Sequence, residues 1–394
     1  MTKRITWIDG LRGIACIGVF IHHFFLSFYP GIFFGEESVS HVSGKLDYKL
    51  GQNPISTFFC GEYMVCIFLL VSGLVVSYQM QQIEEKEKVS DFILKRYPKL
   101  SLPLFCVSLL VWGMLHLGIF SNIGISKMTG SVWLGDYYQG TQTLRDVVVC
   151  SFLLVWFVMD NRFSNVFWML KILFFGSILS ALLGQMAWGK NKKMYIVYGV
   201  AAVISFQFQN MYLLFVMGSF LSYFMIQNHK LKHQKIWGGL CLLLGLFFGG
   251  FPTKVIPNGI YEVFIPIMSG KINAQFLHMI AAFFTLIGIY YLEWIQKLLN
   301  RKSCQFMGKI SYSFFLLHIP IMFSFSTWLF GIILNLTNQY FFASLVVLLI
   351  SFIVTTGFSY CFYRFIEKPC YRLIDFAISK LSVKSVIKGA TNNE

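Results

Sequence analysis

The sequence predicts an all-α protein that crosses a membrane many times. Of its 394 residues, 56% are hydrophobic and only 12% are charged. Mean hydropathy is +0.65. Apolar runs long enough to cross a bilayer, about 20 helical residues each, recur from Ile14 to Phe365 with short polar interruptions. Such a chain is solvated mostly by lipid, and runs of this length span as helices rather than as barrel strands.

Ten segments have the expected length: 11–33, 57–79, 101–120, 166–188, 194–208, 210–227, 236–250, 274–294, 310–332 and 340–366. An eleventh run, 147–159, is ambiguous. If it stays on one side and the N-terminus is cytoplasmic, the inside segments are 1–10, 80–100, 189–193, 228–235, 295–309 and the tail from Arg364. These hold 23 of the 32 lysines and arginines, against seven in the outside loops. If it crosses, the basic loops GKNKK and HKLKHQK and the basic tail fall outside, against the positive-inside bias. The expectation is therefore about ten spans with both termini cytoplasmic, and 147–159 as a re-entrant or interfacial helix on the outer side. The same distribution explains the net charge of +15 as membrane topology and not as a nucleic-acid footprint. A transmembrane domain over 1–375 and a partly disordered cytoplasmic tail over 376–394 complete the expected organisation.

Lys3 and Arg4 precede the first apolar run as they would in a signal peptide, but no small-x-small site follows, so the run reads as a retained span. The nine cysteines are scattered singly, without CxxC or Cys/His ligand spacing, and imply neither a disulfide framework nor a metal site.

The first span carries charge where a plain anchor has none. In DGLRGIACIGVFIHH, Arg12 and His23 are eleven residues apart. At about 100° per residue they return to within roughly 20° of one face, about 16 Å apart along the axis. Both are expected to look into one cavity. Asp9, three residues before Arg12, is placed to pair with the guanidinium. His22 is turned away by about 100° and reads as an ordinary interhelical hydrogen bonder. Ionisable groups inside spans mark function. An imidazole takes a proton from a hydroxyl near neutral pH, and an arginine holds an anion.

Here the sequence resembles the membrane-bound acyltransferase family three, the bacterial integral-membrane O-acyltransferases of cell-envelope glycans. The hallmark of that family is an Arg followed after ten residues by a His, as Arg12 and His23 are. FLLVSGLVVS (68–77), KRYPKLSLP with Arg96 and Lys99, NVFWMLKILFFGS (165–177), LFVMGSFLSYF, MGKISYSFFLLHIPI and RFIEKPCYRL resemble its further elements in order, from about residue 6 to 375. The resemblance implies transfer of an acyl group, most often acetyl, from cytoplasmic acyl-coenzyme A to a hydroxyl of an envelope glycan or another acceptor, at the inner (plasma) membrane. Acetyl-coenzyme A is then a donor substrate, and no tightly bound cofactor is expected. The partners are acyl-coenzyme A, a glycan acceptor and the lipid bilayer, with no nucleic acid.

His23 takes the place of the general base, with a covalent acyl-histidine left open. Arg12, Arg96 and Lys99 are candidates for the coenzyme A phosphates, although positive-inside anchoring explains the last two equally well. Asp9 supports Arg12. Ser72, beside Gly73, reads as a helix-packing spot. Tyr312 and His318 read as structural hydrogen bonders, or as lining the donor or acceptor path. Glu367, between Arg364 and Lys368, reads as an ion-pair anchor. One departure stands out: relatives carry a carboxylate after the fourth-span tryptophan, where Trp168 is here followed by Lys171 and Leu173. Asp160 and Glu62 are the candidates to replace it. An exporter of acyl or polysaccharide units is the rival reading, although no inverted repeat or matched pair of broken helices supports it.

Overall fold

A computed structural model describes residues 5–34, 39–189, 192–208, 210–227, 232–254, 257, 259–268 and 272–391. Lys3, Arg4 and parts of the basic loops GKNKK and HKLKHQK lie outside the described residues. The main helices are α1 (Thr6–Phe28), α2 (Gly61–Met80), α3 (Lys86–His116), α4 (Trp168–Met186), α5 (Met194–Phe208), α6 (Asn210–Ile226), α7 (Gln234–Gly249), α8 (Ala274–Tyr291), α9 (Lys302–Ile321), α10 (Thr327–Thr337), α11 (Tyr340–Phe362) and α12 (Lys368–Thr391). No sheet forms among the described residues.

Seven helices among the described residues are long and apolar enough to cross a membrane. The other three expected spans are α5, α6 and α7, apolar helices of 15, 17 and 16 residues, below that length. The ambiguous run lies within a short broken helix. Leu144–Val149 passes through a π turn at Cys150–Leu154 into Val155–Val158, and Met159 stops it in the left-handed region at φ 60°.

The inside segment that holds KRYPKLSLP is helical and continuous with the third span. Pro98 and Pro103 sit inside α3, which begins about fifteen residues before the expected start of the span. A proline interrupts the backbone ladder and is an ordinary boundary signal. Here the helix continues through both prolines, which leave the carbonyls of Leu94 and Lys99 without their usual ladder donors.

The bundle is organised on the pairing of α1 with α9. Cys16 Sγ contacts the Ser311 carbonyl at 3.5 Å, His23 contacts His318, and the Ser27 hydroxyl contacts Met322 Sδ at 3.4 Å. Each pair is 295 residues apart, and a constant difference means parallel helices in fixed register. The register is set where neither helix carries a side chain. A Cβ on Gly13 would lie 2.6 Å from the Gly308 nitrogen, again 295 residues away, and one on Gly308 would lie 2.0 Å from the Asp9 carbonyl oxygen. In lipid, helix pairing has no hydrophobic drive of its own, so close backbone approach at small residues has to supply it. The contacts at 13, 16, 23 and 27 follow the three-and-four spacing of one helical seam.

We expect Gly13→Ala to destabilise the protein by about 1–3 kcal/mol through overpacking. Gly199→Ala, at a helical site with no atom near the added methyl, should be neutral or stabilising by up to about 1 kcal/mol. Thermal unfolding in a mild detergent measures both.

Candidate active site

The parallel register brings His23 and His318 together. From Gly13 to His23, and from Gly308 to His318, is ten residues, about 15 Å of rise on each helix. At that level His23 Nδ1 lies 3.0 Å from His318 Nε2. The proton positions follow from the partners. His318 Nδ1 faces the carbonyls of Phe315 at 2.8 Å and Phe314 at 3.2 Å. Carbonyls only accept, so His318 Nδ1 carries hydrogen and its Nε2 holds a lone pair. His23 Nδ1 therefore donates to His318, and Nε2 of a neutral His23 is left as the basic nitrogen.

His23 lines a chamber of about 430 Å³. Its ring stacks on Trp133, with centroids 5.4 Å apart and planes 9° from parallel. Trp133 arrives on the connection between α3 and α4, in the short helix Val132–Gly135. That connection is tied down where it matters. The Ser131 hydroxyl donates to the Leu26 carbonyl of α1 at 2.7 Å, and Asn122 Nδ2 donates to the carbonyls of Leu134 at 2.8 Å and Tyr137 at 2.9 Å.

His22 also reaches the chamber wall, contrary to the expectation that it is turned away, because the chamber wraps around α1. Its Nδ1 donates to the Phe59 carbonyl at 3.2 Å. Gly61 makes room for its ring, since a Cβ there would lie 2.5 Å from His22 Cδ2.

Arg12 does not share this chamber. A constriction of about 20 Å³, walled by Cys16, Phe68 and His318 among others, leads away from it, and Val19, Val65, Met169 and Phe315 line both spaces. The Arg12 guanidinium lies over the Phe68 ring, 5.3 Å from its centroid, with Nε buried and without a hydrogen-bond partner. Of the two residues that the angular reasoning put on one face, only His23 lines the chamber. The expected Asp9–Arg12 ion pair is not formed among the described residues. Asp9 instead brings its backbone against Gly308 and has other interactions of its own.

The charge of Arg12 acts on Arg96 and Glu367. Arg96 Nε donates to the Ser177 hydroxyl at 2.8 Å. Lys99 Nζ is 2.8 Å from Asp375, which Lys95 also approaches at 3.8 Å. The Tyr312 hydroxyl donates to the Leu100 carbonyl at 2.7 Å and fastens α9 to α3. Glu367 is no surface ion-pair anchor. The π turn at Tyr363–Glu367 rotates it inward, where it is buried and accepts the Ser313 hydroxyl. Ser72 donates to the Phe68 carbonyl at 2.8 Å, and a Cβ on neighbouring Gly73 would lie 2.8 Å from Phe215 backbone.

Of the two candidates for a displaced carboxylate, Glu62 lines the chamber. Asp160 is held by Arg162 at 2.8 Å, and Arg162 also grips Asp146 at 2.7 Å. The Thr143 amide and hydroxyl hold Asp146 below the usual carboxylate range, helped by Arg162. Lys254, on the loop after α7, contributes its end to the chamber and lies over Phe34 at 4.5 Å. Burial lowers its ammonium from the ordinary value, and the Glu62 charge opposes that. Among the described residues no cluster of His, Cys, Asp or Glu is fit to hold a metal ion.

The arrangement can polarise a hydroxyl at His23 in the chamber and hold an anion at Arg12, beside the Phe68 that walls the constriction. No curated protein and no solved structure matches the chain. The family model for the acyltransferase domain matches residues 5–364, nearly the whole length. A multi-pass membrane protein matched over that extent belongs to acyltransferase family 3 and is a membrane acyltransferase.

Proposed function

We propose that this acyltransferase moves an acyl group, most readily acetyl, from cytoplasmic acyl-coenzyme A to a hydroxyl of a cell-envelope glycan at the inner (plasma) membrane. The observation that carries the proposal is the imidazole pair at the junction of the chamber and the constriction. The end bearing Arg12, Arg96 and Lys99 faces the cytoplasm, and the chamber opens on the outer side. This orientation follows the distribution of basic residues.

Arg12 and Arg96 receive the phosphates of the donor, for which a planar guanidinium is suited. The pantetheine arm runs along α1 past Phe68 towards His23. A space of about 20 Å³ holds little more than a water molecule, so passage of the arm requires Phe68 or the adaptable side chain of Met169 to rotate. The same narrowness argues against an exporter of polysaccharide units.

His23 Nε2 takes the proton of the acceptor hydroxyl as its oxygen attacks the thioester carbonyl. Collapse of the adduct forms the ester and releases the coenzyme A thiolate, which recovers a proton. His318 is a positioning residue: it keeps hydrogen on His23 Nδ1 so that Nε2 remains the base. Trp133 fixes the plane of the His23 ring. Lys99 is engaged by Asp375 and contributes less to donor binding than the two arginines.

Transfer of label from radiolabelled acetyl-coenzyme A to envelope glycan in membranes tests this reading. His23→Ala at matched expression should lower transfer about 10²–10⁴-fold, and retention of activity would remove the general base from the account. His318→Phe should cost about 10²-fold by releasing the His23 tautomer, by analogy with other orienting groups. His318→Gln, which keeps an acceptor for His23 Nδ1, should recover much of that loss, whereas a purely packing role would favour Phe. Arg12→Ala and Arg96→Ala should each raise the KM for acetyl-coenzyme A about tenfold or more, the equivalent of 1.4 kcal/mol. Lys99→Ala should raise it less.

A further inference from the structure

A second ionisable pair faces the same chamber and has no part in the chemistry above. Glu62, in the first turn of α2, lines the chamber and is 28% exposed, while His278 of α8 lies fully buried behind it. His278 Nδ1 is 3.5 Å from Glu62 Oε2, and His278 Nε2 is 2.9 Å from the Phe251 carbonyl. Nε2 carries the hydrogen that the carbonyl accepts, while Nδ1 is buried with no hydrogen-bond partner, so a proton there is stabilised by the Glu62 carboxylate as an ion pair across 3.5 Å. A buried cation keeps its neighbour ionised. Glu62 is therefore a carboxylate with lone pairs to spare on the chamber side, where Gln275 also lines the wall and hydrogen bonds to it.

Such a carboxylate accepts hydrogen bonds from hydroxyl groups and repels another carboxylate placed directly against it. We propose that Glu62, held by His278, is the acceptor subsite of the chamber, and that it takes a neutral, hydroxyl-rich sugar by accepting hydrogen bonds from adjacent hydroxyls. The inference rests on the chamber being the acceptor side of the acyl-transfer site. Lys254 keeps its charge at the chamber wall, over the Phe34 ring, so discrimination against an anion rests on direct contact with the Glu62 carboxylate and not on the net charge of the chamber. A chamber of about 430 Å³ is within the range of sites built for small ligands.

The test is binding, so that it stands apart from catalysis. Saturation-transfer NMR on the detergent-purified full chain would use methyl glycosides of glucose, mannose and galactose, with methyl glucuronide as the anionic probe. We expect transfer to at least one neutral glycoside and little to the glucuronide. Glu62→Gln should lower the signal about fivefold or more, the scale of one charge-assisted hydrogen bond. Glu62→Asp should give an intermediate loss, and His278→Gln a loss that is not additive with Glu62→Gln. Thermal midpoints identify any variant that fails to fold, and Glu62→Asp then carries the comparison. No signal from any neutral glycoside, equal signal from the glucuronide, or wild-type signal in a folded Glu62 variant would overturn the subsite. Glycoside binding without acyl transfer would instead reject the acyltransfer reading of the chamber and leave the subsite standing.

Discussion

The rest of the site depends on the contact between Gly13 and Gly308. Lipid offers helices no hydrophobic reason to pair, and the backbones approach because neither residue has a side chain. Once they touch, the two parallel helices keep one register for their length, and residues ten positions along each must meet. Those residues are His23 and His318. The hydrogen-bond chain that follows is dictated by simple donor and acceptor counting. Backbone carbonyls of α9 fix the His318 proton, His318 fixes the His23 proton, and the remaining His23 nitrogen is basic. A packing interaction about 15 Å away thus selects the tautomer of a histidine.

The polar groups of the membrane interior are divided by a constriction. On one side lie Arg12 and Arg96, tethered at Phe68 and Ser177. On the other, His22, His23 and Glu62 share one chamber with the end of Lys254. Burying charge in such surroundings is costly unless each group has a partner. Glu62 has His278, Glu367 has Ser313, and His23 has His318. The Arg12 Nε is buried without a hydrogen-bond acceptor, as is the His278 Nδ1 that faces Glu62.

Much of this was legible from residue order. Hydropathy located the seven helices long enough to cross and three shorter apolar ones among the described residues, while 147–159 stayed ambiguous until the basic residues were counted. Helical angle placed Arg12 and His23 on one face but could not show that only His23 lines the chamber while Arg12 lies over Phe68. The expected start of the third span at 101 was too late, because α3 begins at Lys86 and runs through Pro98 and Pro103. His318 was named without its partner, although a signal was present: a glycine stands ten residues before the histidine in both RGIACIGVFIHH and MGKISYSFFLLH. Trp133 could not be found this way, because nothing in a loop sequence says which helix the loop will fold back on. The inward turn of Glu367 depends on a π turn that no periodicity announces.

The protonation of the His23 ring tests the central claim most directly. Nitrogen NMR of the protein in bilayers, with ¹⁵N-labelled histidine and His23 identified by its loss in His23→Gln, distinguishes the two neutral tautomers. The account predicts neutral His23 with hydrogen on Nδ1, and a shift towards the other tautomer in His318→Phe. Hydrogen on Nε2 in the wild-type protein would contradict it, because the nitrogen available to the acceptor would then be a donor and not a base.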